Sequence, residues 1–184
     1  IDNESIVPPS PNTETFQLYQ TIVCRIFSDI TISSSKKLQF AEILNKWGDP
    51  RINSPHNPDY WLSVDLSVYQ LNVARHLVTM KEWKEFLLSG YSDDSNWTPE
   101  GLEWRSQDRP SWEKLASSDE SKKYLFDNQP VVGVCWFEAQ AYAKANNARL
   151  MSFSERLLIS RGVEKRPYPW GEWIPGNANT KEEG

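Results

Sequence analysis

The sequence predicts an α+β fold preceded by a small helical pair. Leu62-Ser63-Val64-Asp65-Leu66-Ser67-Val68 alternates apolar and polar residues, which is the period of a strand. Phe16, Tyr19, Val23, Ile26, Phe27 and Ile30 recur at helical steps, as do Met80, Trp83, Phe86 and Leu87. Thr79-Met80-Lys81-Glu82 and Ser152-Phe153-Ser154-Glu155 are capping boxes, in which a hydroxyl and a carboxylate satisfy the free N–H groups of a helix start.

In chain order, residues 1–12 read as a linker, with Pro8, Pro9, Ser10, Pro11 and Asn12 close together. Residues 13–48 read as a helical segment, an adaptor or the tail of a preceding domain. Its first helix covers Thr13 to Ile30, although Thr21 to Phe27 would also suit a strand. Ser33, Ser34 and Ser35 offer caps for a second helix, with Phe40, Ile43, Leu44 and Trp47 on one face and a left-handed stop at Gly48. Asp49 to Asp59 is a loop. A domain follows over residues 60–184. The strand from Leu62 and an extended piece, Tyr69 to Leu77, lead to the helix capped by Thr79 and ended by Gly90. Asn96 to Trp104 reads as a hairpin or tight turn around Pro99 and Gly101, flanked by Trp97 and Trp104. Residues 105–128 form a surface excursion with a short helix near Glu113 to Ala116. Pro130 to Val134 is expected to be a buried strand entering a helix from Trp136 to Asn146. Ser152 opens a last helix that Gly162 closes, and the tail Arg166 to Gly184 is irregular.

Composition narrows the function. The 184 residues carry a net charge of -5, with no basic patch interleaved with aromatics, which argues against nucleic acid. No apolar run reaches the length of a membrane span. The polar start is not a signal peptide, and its lack of Met implies a chain cut from something longer. Two cysteines, Cys24 and Cys135, are too few for a disulfide-stapled secreted scaffold, so cytoplasmic residence is expected.

Four segments, in order, carry a resemblance: Arg75-His76-Leu77-Val78-Thr79 with Trp83 and Phe86; Gln129 to Ala139; Arg149-Leu150 with Ser152, Glu155, Arg161 and Gly162; and Tyr168-Pro169-Trp170-Gly171 with Ala178-Asn179. Together they resemble the N-terminal half of the formylglycine-generating-enzyme (sulfatase-modifying-factor-like) domain. The resemblance implies a C-type-lectin-like architecture. It also implies that the family's later half, with the cysteine pair that binds copper and oxidises a substrate cysteine to formylglycine, is not in these residues. Met151, Phe153, Ser154 and Arg156 depart from the family pattern. Gly48 to Arg51 and Gly90 to Arg105 resemble versions attached to bacterial signalling or defence proteins.

The site candidates follow from both readings. No catalytic residue is assigned. By the resemblance, Asn179 and Thr180 sit at half of a calcium site, calcium being the one cofactor implied. Trp97, Trp104, Trp170 and Trp173 are candidates for a ligand groove, with core packing as the competing account. Cys135 reads as an inert buried thiol rather than a nucleophile. His56 and His76 are isolated. Asp93-Asp94 and Asp119-Glu120 read as solvated loop charge, and Arg149, Glu155 and Arg161 as structural pairs or capping contacts. Half a domain would leave an apolar patch. A protein partner, the missing C-terminal half, or the N-terminal helices should therefore cover Val131 to Val134 and the Trp136 helix. The leading function is a non-catalytic recognition or sensor module in a larger bacterial protein. The alternatives are half of a copper-dependent oxidase completed elsewhere, and a proteolytic product of a regulated defence protein.

Overall fold

A computed structural model of the chain describes residues 10, 13–29, 31–66, 69–107 and 125–174. Helix α1 (Glu14–Ser28) starts where the Thr13 hydroxyl accepts the Phe16 N–H, and α2 (Ser34–Trp47) starts where Ser33 accepts from Lys36. Helix α2 stops at Gly48, whose φ of 83° only glycine adopts freely. The two helices share a small core of Tyr19, Val23 and Leu44, flanked by Phe16, Phe27 and Trp47. The Tyr19 hydroxyl donates to the Gly48 carbonyl at 2.7 Å, fastening α1 to the end of α2. The segment Thr21 to Phe27 is therefore helix and not strand. The expected face of α2 divides: Leu44 and Trp47 pack on α1, while Phe40 and Ile43 are 38% and 42% exposed. A single partner helix is too narrow to cover the whole stripe.

Strands β1 (Trp61–Asp65) and β2 (Gln70–Ala74) pair antiparallel from Trp61 opposite Ala74 to Asp65 opposite Gln70. Helices α3 (Met80–Ser89), α4 (Pro99–Gln107), α5 (Trp136–Ala145) and α6 (Phe153–Arg161) complete an α+β arrangement. Met80, Trp83, Phe86, Trp97, Ala141 and Tyr142 form the larger core, in which α3 and α5 meet. Trp83 sits at its centre, 1% exposed, with Phe86, Tyr91 and Tyr142 around its ring.

The start of each of three helices buries a glutamate, and each glutamate also takes a distant tyrosine. At α3, Glu82 accepts the Thr79 N–H and hydroxyl, both at 2.7 Å, and the Tyr142 hydroxyl from α5 at 3.3 Å. Tyr60, buried just before β1, lies near Glu82 and Tyr142, and its hydroxyl is pushed up by burial first and then by the Glu82 charge. At α5, Glu138 is 0% exposed and accepts the Cys135 N–H at 2.7 Å and the Tyr91 hydroxyl at 3.3 Å. At α6, Glu155 accepts the Ser152 N–H, two bonds from Arg149 and the hydroxyl of Tyr69 beside β2. A buried carboxylate is costly unless hydrogen-bonded, so each of these groups holds two elements in register.

Two expectations are corrected. Asn96 to Trp104 is not a hairpin: Pro99 begins α4, the Thr98 hydroxyl accepts the Gly101 N–H at 3.1 Å, and proline suits a first helical position. Gly101 is there for close approach, since a Cβ would lie 3.2 Å from the Trp97 ring. Pro130 to Val134 is not a strand. It makes one antiparallel bridge, Thr79 to Pro130, before Gly133 turns at φ 75°. The preceding turn instead caps α3 from outside, the Met80 N–H donating to the Gln129 carbonyl and the Lys81 N–H to that of Asp127. The N-terminal helices do not cover this region: Val131 and Val134 pack on the domain's own core, while Val132 and Trp136 are 38% and 59% exposed. The short helix expected near Glu113 to Ala116 lies outside the described residues.

Glu82→Ala should cost about 3 kcal/mol in urea unfolding, because it strips the acceptor from two Thr79 donors and the Tyr142 hydroxyl. A loss within the error of the extrapolation would show that these bonds are not needed. Glu155 gives a pH test. The Arg149 guanidinium first, then the Ser152 N–H, hold its carboxyl well below its ordinary 4.5. A folded value below the unfolded one means that its contribution is complete above pH 4.5 and is lost as pH falls toward the folded value. The stability gap between the wild type and Glu155→Gln should be widest near neutrality and close in acid. A gap independent of pH would contradict the assignment.

Candidate functional site

The first turns of α3 and the end of α2 face each other across a cleft of about 300 Å³. One wall is the α2 terminus and the loop after it, with Asn45, Trp47 and Asn53. The other is Thr79, Lys81 and Glu85 of α3 together with Asp127 and Asn128. The Asn128 amide donates to the Leu44 carbonyl and joins the two walls. Glu82 lies at the base, committed to its capping contacts.

Charge within the cleft is partly spent. Burial pushes the Asp49 carboxyl up, but hydrogen bonds from the Arg51 side chain and backbone outweigh it and hold the group below its ordinary 3.8. Arg51 in turn lies 4.0 Å over the Phe27 ring, so this ion pair anchors the loop to α1. Asp127 pairs with Lys84 at 2.7 Å. Lys81 and Glu85 are one helical turn apart, and among the described residues neither side chain makes a hydrogen bond or ion pair; the same holds for Asn45. The cleft thus offers carboxamides inside and one open charge of each sign at its rim.

The four tryptophans proposed for a groove fall into two pairs on different elements, and none of them lines this cleft. Trp97 is 4% exposed, stacks on Trp104 with centroids 6.4 Å apart, and donates its indole N–H to the Tyr91 carbonyl. Trp170 and Trp173 gather with Tyr168 at a turn closed by paired Tyr168 and Gly171 backbone bonds. Asn179 and Thr180 lie outside the described residues, as do Asp119 and Glu120. Asp93 caps a 3-10 turn and Asp94 pairs with Arg105. Arg149 and Glu155 pair as expected, while Arg161 donates to the carbonyls of Lys165 and Arg166. His56 and His76 are exposed.

Both cysteines are free thiols. Cys24 is exposed on α1, and Cys135 is half-buried at the start of α5, where burial pushes its thiol up despite the neighbouring N–H groups. They stand on different elements, Cys24 on α1 and Cys135 before α5. Among the described residues no group of three or more His, Cys, Asp or Glu could hold a metal ion, and no helix is long and apolar enough to cross a membrane.

Sequence reasoning missed the cleft. The α3 capping box was visible, but the turn at Asp127 and Asn128 that completes the same wall lies over forty positions away, and no local pattern marks it. Comparison with known proteins bears on the domain that carries the α3 wall. A family model described as the sulfatase-modifying factor enzyme 1-like domain matches residues 62–183. No curated protein and no solved structure matches the chain. The match takes in β1 through the end of α6 and leaves α1 and α2 outside, and on its strength the chain belongs to the sulfatase-modifying factor enzyme 1-like family.

Proposed function

We propose that these residues form a non-catalytic recognition module on the sulfatase-modifying factor scaffold, carried within a larger bacterial protein in the cytoplasm. The observation that carries this reading is the disposition of the thiols. The family's oxidase chemistry, as the resemblance describes it, uses two cysteines of the domain's later half, and neither Cys24 nor Cys135 matches them. Here Cys24 belongs to a helix outside the family match, and Cys135 stands at the start of α5, where burial pushes its thiol up. The cleft between α2 and α3, with polar groups not used by the fold, supplies a place for recognition.

A second reading is favoured by Trp136, Phe153, Val163 and Ile174, which are 59%, 78%, 72% and 50% exposed. A partner protein or a C-terminal half of the same domain would cover such residues, and an active oxidase would then be the assembled whole. Calcium at Asn179 and Thr180 belongs with this second reading.

The test is to incubate the chain with copper and a cysteine-containing peptide under oxygen and to look for formylglycine by mass spectrometry. The recognition reading expects unchanged cysteine peptide. Turnover by this chain alone would overturn it.

A further inference from the structure

We propose that the α2–α3 cleft binds a short extended peptide segment carrying an acidic and a basic side chain two residues apart. The inference deepens the recognition reading and rests on it. The cleft is half built from α2 and the loop after it, which lie outside the family match, so it belongs to this chain and not to the shared scaffold.

The ligand class follows from what the cleft leaves open. Asn45, Asn53 and Asn128 present side-chain carboxamides, which carry a donor and an acceptor and so match a peptide backbone. Asn128 uses its NH2 group on the Leu44 carbonyl, and the Asn53 carbonyl oxygen accepts from Asn57, which leaves one an acceptor and the other a donor. At the rim, Lys81 and Glu85 face the same way at a separation of one helical turn, with no ion pair among the described residues. Side chains one turn apart on a helix are about 5–6 Å apart at Cβ. Same-face residues of an extended strand are about 6.6 Å apart. An acid-x-base tripeptide therefore places its carboxylate against Lys81 and its ammonium against Glu85 while its backbone meets the amides. A neutral oligosaccharide would satisfy the amides but leave both rim charges unmatched. The cleft volume of about 300 Å³ is at the small end of ligand sites, which suits a short segment.

The experiment uses the full chain labelled with 15N and follows the side-chain NH2 signals of Asn45, Asn53 and Asn128. The probe is the blocked peptide acetyl-Glu-Ser-Lys-amide, with acetyl-Gln-Ser-Gln-amide and maltotriose as comparisons. The charged peptide should shift these signals saturably, and the neutral peptide should bind about fivefold more weakly, as exposed ion pairs allow. Lys81→Glu should weaken the charged peptide by about the same factor, with the remaining spectrum unchanged because Lys81 is exposed. Signals that do not move at millimolar peptide, a Lys81→Glu variant that binds as well as the wild type, or shifts caused by maltotriose and not by peptide would each overturn the inference. Formylglycine formation would overturn the non-catalytic reading and leave a positive cleft result standing. Silent asparagine signals would remove the cleft and leave that reading intact.

Discussion

Three buried carboxylates, each at the third position of a helix, hold this fold together. Glu82, Glu138 and Glu155 are 6%, 0% and 5% exposed, a degree of burial that carboxylates seldom reach unless they are well partnered. Each first satisfies the backbone of its own helix start and then accepts a tyrosine hydroxyl from another part of the chain. Tyr142 reaches Glu82 from α5, Tyr91 reaches Glu138 from beyond α3, and Tyr69 reaches Glu155 from beside β2. The bonds therefore run crosswise and stitch α3 to α5 and α6 to the hairpin. Burial, then the neighbouring carboxylates, raise the hydroxyls of Tyr142, Tyr91 and Tyr60 above their ordinary 10.0, so all three stay protonated donors at neutral pH.

The aromatic core depends on that stitching. Tyr91 and Tyr142, two of the rings around Trp83, are hydrogen-bonded through their hydroxyls to Glu138 and Glu82, so these tyrosines serve the core and the polar network at once. The Trp83 indole N–H has no hydrogen-bond partner among the described residues. The N-terminal helices form a separate core and meet the domain chiefly around the cleft, through Asn128 and the α2 terminus. This separation agrees with a family match that begins at residue 62 and makes the cleft a junction between a shared scaffold and an added element.

Legibility in the sequence followed the range of the interaction. Contacts three or four residues apart were readable: the boxes at Thr79 and Ser152, the stops at Gly48 and Gly162, and the strand period from Leu62 all mark elements that form. The third box escaped because Cys135 is not a usual cap, although Glu138 stands at the expected spacing. Helix α4 was readable in principle from Thr98-Pro99, a cap followed by a proline at the first helical position. Pro99 and Gly101 suggested a hairpin or tight turn instead. Pro130 to Val134 has strand composition, but Pro130 lacks a donor and Gly133 reverses the backbone. The tyrosine partners lie 60, 47 and 86 positions from their glutamates, beyond any local pattern.

The most direct test of the crosswise bonds is a double-mutant cycle between Tyr91→Phe and Glu138→Leu, read by urea unfolding of the two single variants and the double variant. Residues in one buried hydrogen-bond network couple by about 0.5–3 kcal/mol, and the account predicts a value in that range, the double variant being less destabilised than the sum of the singles. Additive losses would mean that Tyr91 and Glu138 act independently, and the carboxylates would then be helix caps and nothing more.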